Sequence, residues 1–184
     1  DAWRRYHRDG RLLSYDYDDY VGKDHVIVRP KLMTPGQLRD GIRRVALDLT
    51  GLPPTADEVK AFVQDTAPDA YERMVDRMLE KQTFGEHLAR MWLDLARYAD
   101  TVGYERDPNR SAWPWRDWVI AALNDDLPYS EFLTKMLAGD LLPDPTMGDR
   151  LATAFHRNTQ TNTECGSDDE EFRTLAVIDR IATT

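Results

Sequence analysis

From Thr34 onward, apolar residues return at every third or fourth position in short blocks separated by Gly and Pro, a period that helices satisfy and strands do not. The first block shows the whole device. Thr34 offers a side-chain oxygen as N-cap, Pro35 brings a pre-set φ to the first helical position, and Gln37 follows three residues after the cap, the signature of a capping box. Leu38, Ile42, Val45, Ala46 and Leu49 then fall on one face. The run TGLPP stops the helix, because Gly51 can take a positive φ and the prolines cannot extend the hydrogen-bond ladder. Thr55 and Glu58 predict a second box, with Val59, Phe62 and Val63 behind it, and a third helix begins near Pro68 and carries Tyr71, Met74, Val75, Met78 and Leu79.

The periodicity predicts the longest helix over Thr83–Ala99, with Phe84, Leu88, Met91, Trp92, Leu95 and Ala99 on its apolar side. Glu86, Arg90, Asp94 and Arg97 lie opposite as a ladder of alternating charge. Further helices are expected over Trp115–Asn124 and Tyr129–Ala138. A last one is capped by Ser167, with Glu170 at the third position and the acids Asp168–Glu171 at its positive end. Strand signals are nearly absent after residue 33, so the fold class is all-α: an irregular multi-helix bundle of about seven helices over residues 34–184. Residues 1–33 read as an extended N-terminal arm or linker, with YDYDDY at 15–20 and one short strand at HVIVRP. The loop signals do not recur at a fixed spacing, which excludes a solenoid.

Charge and cysteine usage narrow the function. With 33 acids against 24 Lys and Arg, a net charge of −9, and no basic stripe, the composition argues against a non-specific nucleic-acid binder, and no nucleic-acid partner is expected. No run of eighteen apolar residues exists to span a bilayer. A single cysteine, Cys165, leaves no intrachain disulfide, no C-x-x-C redox pair and no C-x-x-C-H haem attachment in this sequence. Next to a helix start its thiol pKa could be lowered, yet no basic residue or nucleophile partner is evident. The four histidines, His7, His25, His87 and His156, share no helical spacing that would preform a metal site. The acids Asp16, Asp18, Asp19 and Asp24 offer hard oxygens for Ca²⁺ but lack the Gly and terminal Glu of an EF-hand loop. No serine-hydrolase elbow, Walker A loop, dinucleotide turn or H-E-x-x-H helix is present.

Two polar stretches remain. Tyr98–Trp118, YADTVGYERDPNRSAWPWRDW, packs three tryptophans, two tyrosines and seven charged residues into twenty-one positions. Carboxylates Asp100, Glu105 and Asp107 beside Tyr98, Tyr104 and Trp113 have the composition of a glycan site, since burial can raise one acid's pKa while ring faces stack on sugars. The same composition suits a polar loop laid on a core, with Arg106, Arg110 and Arg116 pairing the acids. The second stretch, Asn158–Arg173, carries Asn162, Glu164 and Cys165 ahead of the acidic helix start; its oxygens could meet a hard cation or simply form a capping loop. The reading favoured from residues is structural. The two stretches are expected to fold against each other as a buried charge network, with Arg97, Arg116 and Arg173 as cations and Asp94, Asp100, Asp117 and Glu171 as their partners.

The blocks RRVALDLTGLPPTADEVKAF, WLDLARYADTVGYERDPNRSAWPWRDWVIAALNDDLPYSEF, LAGDLLP and DDEEFRTLAVIDRIATT resemble the planctomycete cytochrome-associated helical domain, over about residues 38–184. Asp94, Arg97, Tyr98, Asp100, Gly103, Tyr104, Trp113, Arg116 and Asp117 match that family's motif positions, with no catalytic assignment attached. Cys165 stands where the family commonly has Gly. In that family a C-x-x-C-H motif follows shortly beyond the block that here ends in DRIATT, so the resemblance implies a fragment cut before a c-type haem, with no cofactor of its own. It further implies an exported, periplasmic or cell-surface protein whose partners are other domains or subunits of a cytochrome-containing assembly. A carbohydrate-active or glycan-binding role for the acidic and aromatic 94–118 region is the alternative.

Overall fold

The computed structural model describes residues 34–103, 107–160, 162 and 168–184. The expected arm and its strand, the acidic cluster Asp16–Asp24, Tyr104, Glu105, Arg106, Glu164, Cys165 and the Ser167 cap lie outside the described residues. Among those described, eight α-helices and two short 3₁₀ segments form the structure, and no strand does; a single antiparallel bridge joins Thr101 and Asn109. The all-α class therefore holds. The chain divides between Lys81 and Gln82 into two compact units.

In the first unit, α1 (Pro35–Thr50) packs on α2 (Ala56–Gln64) and α3 (Ala70–Leu79). Both predicted capping boxes form. Thr34 Oγ1 accepts from Gln37 N while Thr34 N donates to Gln37 Oε1 at 2.9 Å, and Thr55 N donates to Glu58 Oε2 at 2.8 Å. Gly51 ends α1 at φ 69°, a left-handed conformation that a Cβ would disfavour. The α1 stripe buries Ile42, Val45, Ala46 and Leu49, α2 contributes Phe62, and α3 contributes Ala70, Met74, Val75, Met78 and Leu79. Lys81 forms an ion pair with Glu58 at the foot of α2.

The second unit is built on α4 (Gln82–Leu95) and α5 (Trp113–Asn124). Asn124 at the end of α5 accepts from Gly85 N at 2.9 Å and donates to Gln82 O at 3.1 Å, both at the start of α4. Tyr98, just past α4, stacks on Trp115 near the start of α5, so the two helices run antiparallel. The buried face of α4 is not the predicted one. Gly85, Ala89 and, just beyond the helix, Ala96 are buried, with Trp92 and Leu93 packed against the core, whereas Met91 and Leu95 are exposed. Small residues win these positions because α5 lies close: a Cβ on Gly85 would sit 2.6 Å from the Asn124 side chain. Nor does α4 reach Ala99. Tyr98 N donates to Leu93 O and Arg97 N to Asp94 O, with Arg97 at φ 53°, the paired bonds of a Schellman stop. Asp126, at φ 53°, ends α5 in the same way.

Helix α6 (Tyr129–Ala138) adds Phe132 and Met136 to the core and runs into a 3₁₀ turn, Gly139–Leu141. Helix α7 (Met147–Ala152), for which the sequence analysis has no counterpart, carries a third capping box between Thr146 and Asp149. A second 3₁₀ segment, Thr153–Arg157, supplies Phe155 to the core. The last helix, α8 (Asp169–Thr183), is capped by Asp168, whose carboxylate accepts from Glu170 N and Glu171 N. No helix among the described residues is long and apolar enough to cross a membrane.

Candidate functional site

The Tyr98–Trp118 stretch leaves α4 and returns into α5 as a closed loop on the second unit's core. Its closure is local. The Thr101–Asn109 bridge draws its sides together, and Val102 N donates to Pro108 O at 3.2 Å. Asp107 Oδ1 accepts from Gly103 N at 2.6 Å, a bond that holds the Asp107 carboxyl below its usual range. Gly103 is at φ +87°. At the base of the loop Asp100 spends both carboxylate oxygens, taking the Tyr98 hydroxyl at 2.6 Å and Ala112 N at 3.2 Å, while its carbonyl accepts from Arg110 N at 2.8 Å.

The aromatic residues divide by depth. Trp115 is buried, donates its indole N–H to Ala152 O at 3.0 Å, and contacts Tyr98 and Phe155 with ring centroids 6.2 and 6.1 Å away. Trp118 stacks on Phe132 at 5.4 Å. Trp113 is half exposed. Burial, and then the Asp100 hydrogen bond, push the Tyr98 hydroxyl up to about 12, so Tyr98 stays a neutral donor. These rings and acids are engaged with one another.

The two polar stretches do meet, through contacts other than the predicted ion pairs. Arg110 is the staple: its Nε donates to Ala99 O at 3.2 Å, and its Nη1 donates to Arg157 O at 2.9 Å and Thr159 O at 3.0 Å. Gln160 Nε2 adds a bond to Gly103 O at 3.2 Å. Arg97 pairs with Asp179 of α8, and its Nη2 donates to the Asp179 carbonyl at 3.1 Å. That pair lowers the Asp179 pKa and raises that of Arg97. Arg116 pairs with its neighbour Asp117 at 2.8 Å, and Arg173 reaches Glu170 at 3.4 Å. All of these cations are solvent-accessible, so the charges form a surface set rather than a buried network. Ion pairs at such positions contribute little, about 0–1 kcal/mol each.

The remaining site residues separate. Asp94 is exposed and contributes its carbonyl to the α4 stop; Glu171 is exposed and donates its N–H to the Asp168 cap; Asn162 is half-buried. Tyr104 and Glu164 lie outside the described residues. Asp179, Gln160 and Thr159 are the contacts that sequence reasoning did not name. Beside the Arg97–Asp179 pair, a cavity of about 10 Å³ against Phe155 and His156 has room for about one water.

Among the described residues no group of three or more His, Cys, Asp or Glu could hold a metal ion. The sequence has one cysteine and no C-x-x-C-H, and His156 is tilted on Phe155 at 5.1 Å, with burial and Arg180 lowering its pKa.

Neither a curated protein nor a solved structure matches the chain. One family model, described as PSCyt2, protein of unknown function (DUF1549), matches residues 28–184. Covering most of the sequence, that match includes every described helix and both polar stretches, and the chain belongs to the PSCyt2 family.

Proposed function

We propose that this chain is a helical scaffold and interaction module of an exported, c-type cytochrome-associated protein, where it positions a haem-bearing segment or partner domain for electron transfer. The observation that carries the module reading is the state of α8. Its inward residues, Phe172, Ala176, Asp179 and Thr183, follow a helical period but include an ion-paired acid and a Thr, and no residue of the helix is buried. Its larger apolar side chains face out: Leu175 is 47% exposed, Val177 48%, Ile178 58% and Ile181 72%. A helix that is apolar on more than its docked face is built to be covered on both sides. The cytochrome setting rests on the resemblance of the sequence blocks.

Hydrogen exchange tests the reading. The α8 amides are compared in this domain alone and in a polypeptide that also carries a haem-bearing segment. Slowing by at least about tenfold in the longer chain, abolished by Ile178→Asp, is the expected result. Equal exchange in the two forms would remove the scaffold role from α8.

A further inference from the structure

The chain is acidic overall, yet one concave place on the second unit is lined by two arginines and by no described acid. A groove of about 490 Å³ opens between the 98–118 loop and the α7 segment. That volume falls within the range of about 300–1,000 Å³ typical of small-molecule sites. Its apolar lining is Val102, Ala112, Pro114 and Trp115 from the 98–118 stretch, and Leu151 and Ala154 from α7 and the 3₁₀ segment after it. Arg110, Ser111, Arg157 and Asn158 supply polarity, and no carboxylate stands among its described lining residues.

The two guanidinium groups differ in what they have left to give. Arg110 donates from Nε and Nη1 to three neutral carbonyls, and Asp107 lies near enough for the two charges to act on each other. Arg157 is exposed and forms no ion pair with a described residue; its own carbonyl is one of the Arg110 acceptors, and both residues line the groove. Of the loop's described acids, Asp100 is hydrogen-bonded to Tyr98 and Ala112, and Asp107 to Gly103 while it also faces the charge of Arg110; neither lines the groove. Two arginines lining one largely apolar groove suit a ligand with a carboxylate head and an apolar body, because a carboxylate takes paired N–H donors from a guanidinium and the body displaces water from the walls.

We propose that this groove binds a small free carboxylic acid with an aliphatic or aryl body, its carboxylate on Arg157 beside Arg110 and its body against Val102, Pro114, Leu151 and Ala154. The site is separate from the outward face of α8.

The probes are 4-phenylbutyrate and its neutral amide, titrated into the protein while the Trp115 indole N–H and the Leu151 and Ala154 amides are followed by NMR. The acid is expected to shift these resonances saturably. The amide should bind at least about tenfold more weakly, and Arg157→Gln should lower affinity for the acid by a similar factor. Ala154→Leu, which fills the groove without touching either arginine, should weaken acid and amide alike. Acid and amide binding equally, Arg157→Gln binding the acid as the parent does, shifts confined to residues outside the groove, or no shift at millimolar acid would each overturn the assignment.

Discussion

Replacing Arg110 with Met keeps most of the side-chain stem and removes the guanidinium that joins the 98–118 loop to the 153–160 segment. Three bonds go: Nε to Ala99 O, and Nη1 to Arg157 O and Thr159 O. The first and third are partly buried and the second is at the surface. Allowing about 1 kcal/mol for each partly buried bond and about 0.5 kcal/mol for the exposed one gives a loss of about 2–3 kcal/mol. Urea unfolding followed by tryptophan fluorescence is the assay, since four of the five tryptophans lie in the second unit. The acceptors are carbonyls with no net charge, so the loss should change by less than about 0.5 kcal/mol between low salt and about 0.5 M salt, unlike an exposed ion pair. Arg110→Lys, with one ammonium in place of a planar fork, should recover no more than about 1 kcal/mol. A loss below about 0.5 kcal/mol, or one that disappears at high salt, would refute the stapling argument and return the two stretches to an ionic explanation.

Two further outcomes follow from the same unit. Gly139→Ala places a Cβ 2.2 Å from the backbone oxygen of Asp149, so the 3₁₀ turn and α7 must separate; a loss of about 2 kcal/mol or more is expected in the same urea assay, and a neutral effect would mean the turn yields freely. Asp149 is held down to about 2 by its Thr146 and Lys135 hydrogen bonds. A depressed carboxylate stabilises the fold above its unfolded pKa near 4, and the contribution is lost as pH falls through the folded value. The parent protein's urea midpoint should therefore drop more steeply than that of Asp149→Asn between about pH 4 and pH 2, and parallel profiles would contradict the assignment.

What could be read from the sequence was what is local along the chain. The caps at Thr34 and Thr55 need only a partner three residues away, and both formed as expected. The third box, Thr146 with Asp149, has the same spacing, but α7 behind it is six residues long and too short to show a period. On α4 the search for large apolar residues chose a side that includes Met91 and Leu95, while the contact with α5 selects by closeness and puts Gly85, Ala89 and Ala96 inside. Absence of a side chain leaves no hydrophobic signal, so a tightly packed helix pair can look like a weak stripe.

The same limit explains the charged stretches. Tyr98 with Asp100, and Arg116 with Asp117, are near neighbours in sequence and were placed within one network. Arg110 was expected among acids, yet it settled on Ala99, Arg157 and Thr159 carbonyls. Of those oxygens, that of Arg157 ends the 3₁₀ segment, while those of Ala99 and Thr159 lie in the irregular chain beyond α4 and beyond that segment, where no regular ladder uses them. Every residue carries such an oxygen, so its identity leaves no trace in composition; only the position of a helix end reveals it. Helix stops at Leu95 and Arg157 thus decide where this guanidinium goes, and the acids nearby are left to their own backbone amides and hydroxyls. An arginine in a polar loop of this kind is held by carbonyls of the irregular chain as well as by the field of a nearby carboxylate.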